Sequence, residues 1–475
     1  MSESGFVAQI RGLLGPERVL DARAVLRAYE LDGYPLERRE PLCVVLPEST
    51  EEVRQVVQMC REDGVPFTPR GAGTGLSGGA TAVHSGVIVS TKRLTQILAL
   101  DPVDRWMHAQ SGAVNRRLSV VAEPHGLHFA PDPSSQTVST LGGNIAENSG
   151  GPHTLKYGVT VQHILQVRIV TPEAEVVTLG SLIEGRPGPD LLSLIVGGEG
   201  TLGIVTEAWV RLTPNPPAVR TALASFPAIR GATESVAELI ERGAIPAALE
   251  IMDHGILAAV QAAFGLSFPA HAQALLLMEF DGEADAVDRE LAEGIAVCQS
   301  RGAIAVEVAQ DERERQQLWT ARKKAIGAMG RVAPSIVTHD GVIPRSKLPE
   351  MLEFCAEVAC RHGLALANLF HAGDGNLHPC IAFDDRDSAQ VAAVHRAGEE
   401  ILRRCVELGG SVSGEHGIGV EKADLMRLMF DDADLRLQAD AKRIFNEGLL
   451  CNPCKILPNQ KGCVEHRMQW RGAAS

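Results

Sequence analysis

The sequence predicts an α+β protein with two main domains. Short apolar runs of strand length alternate with longer runs whose apolar side chains recur at helical spacing. Three glycine-rich passages lie within the first 210 residues, and a Pro-rich step at residues 213–217 leads into a second half with longer helical patterns. Because domain boundaries fall in such segments, we expect the first domain to end near residue 214.

Between residues 43 and 90 the sequence predicts a strand, a helix and two further strands. The strands are predicted at residues 43–46, 65–67 and 87–90, which are short and apolar. Ser49-Thr-Glu-Glu52 is a capping box, which satisfies free N–H groups at the start of a helix. Apolar side chains at helical spacing follow it, and Gly64 is a stop signal. We therefore expect a helix between Ser49 and Gly64.

The passage Arg70-Gly-Ala-Gly-Thr-Gly-Leu-Ser-Gly-Gly79 is too rich in glycine for a helix or a packed strand. Gly73-x-Gly75-x-x-Gly78 matches the dinucleotide pattern, but a strand follows it where a Rossmann fingerprint needs a helix. A P-loop is also excluded, because no Gly-Lys-Ser/Thr ending is present. Consecutive glycine N–H groups can still converge on a phosphate, and a flexible surface turn is the alternative.

Two further glycine-rich loops are predicted at residues 139–151 and 196–203. Three such passages indicate a ligand that lies across many backbone segments. A long dinucleotide would need that arrangement.

The second domain is predicted to alternate helices with short strands. Its helical patterns lie at about residues 230–244, 284–301, 311–331, 346–362 and 388–408. Apolar strands are predicted at residues 274–280 and 303–308. The pattern is typical of an α+β domain.

The stretch His371-Ala-Gly-Asp-Gly-Asn-Leu-His378 places two histidines on either side of Asp374-Gly375, a pair typical of two-residue hairpin turns. Pairing outward from that turn sets His371 opposite His378, so the two imidazoles would lie together. Cross-strand imidazoles can bind a metal. An ordinary hairpin with two half-buried histidines is the alternative.

A second cluster, Ser413-Gly-Glu415-His416-Gly-Ile-Gly419, supplies a carboxylate and a third imidazole. Two histidines and one carboxylate are a common three-ligand set that leaves positions open for substrate. With Glu415 as the carboxylate ligand, His416 is the candidate general base.

The net charge of −14 disfavours nucleic acid or an anionic membrane as a partner, since phosphate binding needs a concentrated cationic surface. No apolar run is long enough to span a bilayer, and Met1–Phe6 lacks the cationic start and apolar core of a signal peptide. We therefore expect a cytoplasmic protein whose partners are small molecules or proteins.

The ten cysteines are too few for a disulfide scaffold in a chain of 475 residues. Most are predicted to pack as small apolar side chains in amphipathic segments, among them Cys60, Cys355, Cys360 and Cys405. The tail carries Cys451, Cys454, Cys463 and His466, which would suit a metal or iron–sulfur knuckle. No second Cys-x-x-Cys pair accompanies them, so we expect incidental or merely oxidisable thiols.

These motifs together resemble a known family, the FAD-dependent 2-hydroxy-acid dehydrogenases of the vanillyl-alcohol-oxidase or p-cresol-methylhydroxylase type. The flavoprotein subunits of bacterial glycolate oxidases and the D-lactate dehydrogenases are the most similar branch. The resemblance runs from about residue 40 to Pro458 and rests on seven motifs in order, at Pro69–Gly79, Pro131–Ser134, Gly142–His153, Leu155–Gly158, Gly198–Ile204, His371–His378 and Gly414–Gly419.

The resemblance implies three segments. Residues 1–214 would form a two-part FAD-binding domain of the p-cresol-methylhydroxylase type. Residues 215–412 would form a ferredoxin-like α+β cap domain that binds substrate, and residues 413–475 would return to the FAD domain.

The resemblance also implies how FAD is bound. Residues 70–79 look like the pyrophosphate loop, while residues 131–151 and 199–204 would border the isoalloxazine and the adenylate. No histidine matches a site of covalent attachment, so dissociable FAD is expected. The implied FAD-binding residues are Arg70, Gly71, Ala72, Gly73, Thr74, Gly75, Leu76, Ser77, Pro131, Asp132, Thr140, Gly142, Gly143, Asn144, Glu199, Gly203, Ile204 and Asn452.

In this family His371, His378 and Glu415 look like ligands of a divalent metal, often zinc. A metal chelated by the substrate's carboxylate and α-hydroxyl lowers the hydroxyl pKa. His416 can then take the hydroxyl proton while hydride leaves the α-carbon for flavin N5.

Three further residues complete the implied catalytic set. Asn376 would hydrogen-bond the substrate hydroxyl oxygen, and Arg322 would bind the substrate carboxylate. Lys422 would add a second positive charge. A solvated helix face is the alternative for Arg322, and an ordinary solvated lysine is the alternative for Lys422.

The sequence departs from the family in two places. Relatives that take 2-hydroxyglutarate have a threonine where this chain has Ile326, and a lysine on the following strand, where it has Val337-Thr-His-Asp340. A second substrate carboxylate would lack those partners, which favours a short monoacid. The other departure is Cys454, where the family usually has glycine.

The sequence therefore predicts FAD- and divalent-metal-dependent oxidation of glycolate or D-lactate to the 2-oxo acid, with electrons passed to a non-nicotinamide acceptor. The alternatives are a D-2-hydroxyglutarate-type dehydrogenase, a flavin-independent metallohydrolase and a non-catalytic nucleotide-binding subunit. The metallohydrolase leaves the three glycine loops without a role. An iron–sulfur partner subunit or a membrane quinone chain is the expected electron acceptor, and a cytochrome, an artificial dye or oxygen are the alternatives. The protein is expected to be a homo- or hetero-oligomer, either free in the cytoplasm or held peripherally at the inner membrane through partners.

Overall fold

The computed structural model describes residues 2–183 and 188–458. The chain divides into two compact units. The first unit contains the residues up to Ser149, Val159–Pro214 and the chain from His416 onward, and the second contains Gly150–Gly158 and Asn215–Glu415. The chain thus returns to the first unit at His416, whereas the sequence placed this return at residue 413.

The described residues form helices of 4 to 20 residues. In chain order these are α1 (Glu3–Leu14), α2 (Arg23–Leu26), α3 (Thr50–Asp63), α4 (Asn115–Ala122), α5 (Leu141–Glu147), α6 (Thr154–Tyr157), α7 (Leu192–Ile195), α8 (Ile229–Glu241), α9 (His254–Phe264), α10 (Ala284–Ser300), α11 (Glu312–Met329), α12 (Leu348–His362), α13 (Ser388–Glu407) and α14 (Asp432–Phe445).

The strands are β1 (Val19–Leu20), β2 (Cys43–Val45), β3 (Phe67–Arg70), β4 (Val87–Ser90), β5 (Ile97–Asp101), β6 (Trp106–Gln110), β7 (Leu127–His128), β8 (Ile164–Val170), β9 (Val176–Gly180), β10 (Ile204–Arg211), β11 (Thr213–Pro214), β12 (Ala218–Phe226), β13 (Ala248–Asp253), β14 (Ala274–Gly282), β15 (Ala305–Val308), β16 (Ser335–Thr338), β17 (Gly341–Val342), β18 (Ala365–His371), β19 (Asn376–Leu377) and β20 (Pro379–Phe383).

The first unit contains two main sheets. One has the order β1-β2-β4-β3, in which β2, β4 and β3 are parallel. Helix α3 begins where the capping box predicted it, since Ser49 Oγ accepts the Glu52 N–H at 3.1 Å, and it ends at Gly64 with a φ of 66°. Its apolar side chains are buried in the core beside this sheet. The second sheet is antiparallel, with the order β5-β6-β10-β8-β9.

The second unit is built on one larger sheet with the order β15-β12-β14-β13-β18-β19-β17, and β20 pairs with β18 and β16. Strand β14 is a continuous apolar run because helices cover both of its faces. Leu275 and Leu277 pack in a cluster with residues of α9 and α11, while Met278 and Phe280 lie against α10. The alternation of strand side chains directs these two sets to opposite faces.

The predicted loop at residues 139–151 contains a short helix, α5, so that part of the prediction is wrong. Thr140 Oγ1 accepts the Gly143 N–H at 3.2 Å, and Asn148 ends the helix in the left-handed region with a φ of 52°. These two caps compensate for the low helix propensity of the glycines.

Three of the four cysteines expected to pack in amphipathic segments are buried, but Cys360 of α12 is exposed. The buried side chains Leu352, Cys355 and Ala359 follow helical spacing, and Cys360, five residues after Cys355, lies off that buried face.

None of the helices in the described part of the chain combines the length and the apolarity that crossing a membrane requires.

Candidate functional site

The hairpin around Asp374 has a different register from the predicted one. His371 pairs with Asn376, and residues 372–375 form a four-residue turn, so the prediction that His371 lies opposite His378 is wrong. Asp374 Oδ1 accepts the Asn376 N–H at 3.1 Å, a side-chain turn that favours the wider loop. The shift is two residues, and side chains alternate with a period of two, so both imidazoles keep to one face of the sheet.

His371, His378 and Glu415 bring three donor atoms together in the second unit. Glu415 Oε1 lies 3.3 Å from His371 Nε2 and 3.2 Å from His378 Nε2, and the ligand atoms all lie within 4.8 Å of one another. The two imidazole rings meet edge to face with centroids 5.0 Å apart. Donors bonded at about 2.1 Å to a tetrahedral ion lie about 3.4 Å apart, so this spacing suits a divalent metal.

A buried carboxylate stands behind the donor atoms. Glu250 of β13 is fully buried and accepts the His371 Nδ1–H at 2.5 Å. Its other oxygen accepts a hydrogen bond from Nε of Arg322, which is 5% exposed. Arg322 is therefore not on a solvated helix face, and the alternative reading of its segment is wrong for this residue.

The opposite charges of Glu250, His371, Arg322 and Glu415 stabilise one another. Burial would raise the pKa of the Glu250 carboxyl, but His371 and Arg322 outweigh it and hold that pKa below its ordinary value. Burial likewise disfavours a charged His371, yet the carboxylates of Glu250 and Glu415 hold the pKa of His371 well above its ordinary value. An ionised Glu250 accepts from Nδ1, which leaves Nε2 to face Glu415.

Asp340 positions the backbone that carries Glu415. It is fully buried and accepts the Glu415 N–H at 3.1 Å, the Gly414 N–H at 3.0 Å and the Ser413 hydroxyl at 2.8 Å. Gly414 lies so close to the Asn376 carboxamide that a Cβ would overlap it. Asn376 Oδ1 is buried and has no hydrogen-bond partner among the described residues.

In the first unit, the glycine-rich passage at residues 70–79 is held by buried polar side chains. Asn452 Nδ2 donates to the carbonyls of Gly79 and Glu199 at 2.9 and 2.7 Å. Lys455 Nζ donates to the carbonyls of Gly78 and Thr81, each at 2.8 Å. Burial lowers the pKa of Lys455 to about 8.

The start of the same passage is tied to an earlier loop. Arg70 donates to the carbonyls of Leu31 at 2.9 Å and Ala80 at 3.2 Å. Asp32, also buried, accepts the N–H groups of Tyr34 at 2.9 Å and Ala80 at 3.2 Å. The passage is therefore a fixed loop, and the prediction that it is not followed by a helix is confirmed, because β4 is the next regular element.

The loop after His416 is anchored to Glu199. The two Glu199 carboxylate oxygens accept the Ile418 N–H at 2.6 Å and the Gly419 N–H at 2.7 Å. Lys422 donates to the Gly417 carbonyl at 3.0 Å and is fully buried, so the alternative of a solvated lysine is wrong. His416 itself is half-buried.

Two family descriptions match the chain. Residues 41–180 match the FAD binding domain, and residues 215–456 match FAD linked oxidases, C-terminal domain. The second match alone covers more than half of the 475 residues. The chain belongs to the FAD-linked oxidases.

Similar proteins cover nearly its whole length. The glycolate oxidase subunit GlcD of Escherichia coli strain K12 is 43% identical over 437 residues, which are 92% of this chain and 88% of that protein. The GlcD subunit of Bacillus subtilis is 35% identical over 94% of this chain and 96% of its own. A D-lactate dehydrogenase of Anaerostipes hadrus is 31% identical over 93% of this chain and 95% of its own.

The fold agrees with the family. The crystal structure of p-cresol methylhydroxylase with substrate bound aligns with a TM-score of 0.80 over 96% of this chain and 98% of its own, at 17% identity. The predicted class, an α+β fold with an FAD-binding domain of that type, is therefore confirmed. The chain is an FAD-linked oxidoreductase, as predicted.

The residues of this oxidase fit FAD. Several buried polar atoms on or near the glycine loops have no hydrogen-bond partner in the described ranges, namely Ser77 Oγ, Thr81 Oγ1, Ser111 Oγ and Asn144 Nδ2. Such atoms can donate to or accept from a polar cofactor. Gly71 packs against Thr140 so tightly that a side chain would overlap the Thr140 hydroxyl. The backbone there presents its own polar groups, as an anion-binding loop requires.

The remaining residues implied to bind FAD all lie in the first unit. They are placed on the glycine loop (Ala72, Gly73, Thr74, Gly75, Leu76), before and within α5 (Pro131, Asp132, Gly142, Gly143), at the start of β10 (Gly203, Ile204) and in the C-terminal segment (Asn452).

The backbone at Cys454 suits the glycine that the resemblance implies at this position. Cys454 adopts a φ of 60°, in the left-handed region that favours glycine. Cys451 and Cys454 are buried free cysteines, and the Cys454 sulfur lies 3.2 Å from His84 Nε2. Cys463 and His466 lie outside the described residues.

The sequence did not single out Glu250, Asp340, Asp32 or Lys455. A signal was present for Glu250, since one carboxylate interrupts the apolar run Leu249-Glu-Ile-Met252. Carboxylates are almost never fully buried unless they are paired, so such an interruption indicates a partnered charge. Asp32 and Asp340 are each followed by a glycine, and Lys455 follows the Cys451-Asn-Pro-Cys454 segment, so none of the three interrupts a long apolar run.

Proposed function

We propose that this FAD-linked oxidase oxidises a short 2-hydroxy acid, glycolate or D-lactate, to the 2-oxo acid with the help of a divalent metal, zinc first among the candidates. One observation carries the proposal, the convergence of the His371, His378 and Glu415 donors next to the Glu250–Arg322 pair. The relatives named glycolate oxidase subunit and D-lactate dehydrogenase support the substrate class.

His371, His378 and Glu415 would hold the metal. When bound, the metal supplies Lewis-acid polarisation of the α-hydroxyl, and FAD supplies the two-electron acceptor. His416, which directly follows Glu415, accepts the hydroxyl proton as the general base. In the same scheme Asn376 hydrogen-bonds the hydroxyl oxygen.

Arg322 orients the substrate. Its Nε–H donates to Glu250, so the two remaining guanidinium nitrogens can donate to a substrate carboxylate in the paired geometry that arginine favours. Ile326, one turn further along α11, offers no polar group for a second carboxylate. A short monoacid is therefore the preferred substrate over 2-hydroxyglutarate.

The electrons leave through a non-nicotinamide acceptor. The glycine pattern at residues 73–78 is followed by a strand and does not open a nucleotide-binding helix of the Rossmann type. The Escherichia coli relative is named as a subunit, which supports a partner chain as the acceptor, an iron–sulfur subunit or a link to membrane quinone. Lys422 is proposed to contribute positive charge to the loop after His416.

Anaerobic bleaching of the bound flavin by a panel of D- and L-2-hydroxy acids tests the proposal. Glycolate or D-lactate should bleach the flavin, 2-hydroxyglutarate should do so poorly, and a metal chelator should slow the reaction at least about 100-fold. The variant His378→Ala should lose both the bleaching and the bound metal while it retains FAD.

His362→Ala is the matched control, because His362 is a half-buried imidazole of the same unit that pairs with Glu400 at 2.8 Å. It should bleach like the wild type. A purified protein without bound FAD would refute the proposal, and unchanged metal content in His378→Ala would make the hairpin purely structural.

A further inference from the structure

We propose that Glu250 is a positioning residue that fixes the metal ligand His371 and the carboxylate-binding Arg322 in one arrangement. Metal affinity and substrate binding would then both depend on a side chain that touches neither the metal ion nor the substrate. This inference rests on the proposed function and extends it to a residue outside the catalytic set.

The backbone aims Glu250 at His371. The two residues are Cα partners in the antiparallel pair of β13 and β18, so their side chains project from the same face of the sheet. Glu250 Oε1 accepts from His371 Nδ1 at 2.5 Å. That bond selects the tautomer with the proton on Nδ1. It also fixes the orientation of the ring, so that Nε2 faces Glu415.

Helix α11 supplies the second contact. Arg322 donates its Nε–H to Glu250 Oε2, and both side chains are buried. The guanidinium plane is thereby fixed relative to the imidazole through a single carboxylate. A carboxylate has two acceptor oxygens, and here one accepts from Arg322 and the other from His371.

Glutamine cannot reproduce both contacts. A carboxamide has one acceptor oxygen, and its NH₂ group would point at a donor, either His371 Nδ1–H or Arg322 Nε–H. In the variant Glu250→Gln, either His371 or Arg322 therefore loses its hydrogen bond to residue 250. It also leaves Arg322 buried without its counter-charge.

The chain offers a closely matched control in Glu279. This buried glutamate of the neighbouring strand β14 also accepts from an arginine of α11, Arg315 at 2.7 Å, and from a histidine, His153 at 3.1 Å. It also accepts from the Trp319 indole N–H at 2.8 Å. Glu279→Gln thus removes the same kind of buried charge from the same sheet without touching His371 or Arg322.

The experiment measures zinc affinity on the full-length, FAD-loaded protein after metal removal, by competition with a chromophoric chelator and without substrate. Glu250→Gln should bind zinc about 10- to 100-fold more weakly than the wild type. Glu279→Gln should stay within about 3-fold of it. With zinc saturating, Glu250→Gln should raise KM for the hydroxy acid more than it lowers kcat, because Arg322 has lost its support.

Wild-type zinc affinity in Glu250→Gln would overturn the inference and leave the proposed metal site standing. Equal losses in the two variants would also overturn it, since any buried glutamate would then have the same effect. A wild-type protein that binds no zinc would refute the proposed metal function itself. If Glu250→Gln does not fold, Glu250→Asp keeps the charge but withdraws it by one methylene, and wild-type affinity there would equally overturn the inference.

Discussion

At the scale of single residues, the buried carboxylates differ in how well they are paired. Glu250 and Glu199 each have both oxygens bonded. Glu147 differs, because its Oε2 is buried and has no hydrogen-bond partner in the part of the chain that the structure describes. Burial is the main cause that raises the pKa of Glu147 well above its ordinary value, and repulsion from the nearby Glu199 carboxylate is the second cause.

Glu147→Gln should therefore stabilise the protein at pH 8. A carboxyl whose pKa is raised by folding contributes stability that is fully present below the unfolded pKa of about 4.3 and is lost as pH rises through the folded pKa. Glutamine does not ionise, so the variant should avoid that loss. We expect a gain of about 1–3 kcal/mol in the free energy of unfolding at pH 8 and little change at pH 4.5, by urea titration.

The exposed Glu175 of the same unit provides the control. Glu175→Gln should change the free energy of unfolding by less than about 0.5 kcal/mol at either pH. A Glu147→Gln variant that is less stable than the wild type at pH 8 would show that the ionised carboxylate is needed.

At the scale of elements, loops far apart in the sequence meet through their backbones. Gly419 has a φ of 54°, and a Cβ at this position would lie far inside van der Waals contact with the Ser77 carbonyl oxygen. The Ser77 carbonyl also accepts the Val420 N–H at 2.9 Å. Glycine is therefore required at position 419 both by the backbone conformation and by the close approach of the loop at residues 70–79.

Gly419→Ala should destabilise the first unit and lower its FAD content. Gly126→Ala separates the two causes, because Gly126 has a similar φ of 68° but nothing within 4 Å of its missing Cβ. The left-handed conformation alone should cost Gly126→Ala about 1–2 kcal/mol. Overlap with Ser77 should cost Gly419→Ala about 1–3 kcal/mol more, measured by urea unfolding. Equal losses would mean that the Ser77 loop moves aside.

At the scale of the whole molecule, the residues proposed to bind FAD and those proposed to bind the metal belong to different units. The residues implied to bind FAD lie in the first unit, and the three residues proposed to hold a metal lie in the second. Proteins with more than one domain commonly unfold in more than one step. A ligand that binds only the folded form of one unit stabilises that unit by mass action.

Calorimetry should therefore resolve which unit each ligand stabilises. At 100 times its dissociation constant a ligand adds about 2.7 kcal/mol, which corresponds to about 5–10 °C for a unit of this size. FAD should raise the midpoint of one transition and zinc that of another. In His378→Ala the zinc shift should disappear while the FAD shift remains. Identical shifts of one single transition by both ligands would contradict this expectation.

Much of this protein was set by local sequence. The capping box and Gly64 determine α3, and a short continuous apolar run determines β14, because both signals lie within a few neighbouring residues. The sequence also singled out His371, His378 and Glu415 as a candidate metal site, because they stand in short glycine-flanked motifs.

Only the tertiary structure decided the register of the hairpin and the pairing of the buried charges. The two-residue shift at His371 arose from the Asp374 side chain, which competes with the tighter turn. Glu250, Arg322 and His371 come from three elements, and their hydrogen bonds form when the sheet and α11 pack together. The separation of residues along the chain does not determine how far apart such elements lie in the fold. Residue types could therefore be predicted, while their hydrogen-bond partners could not.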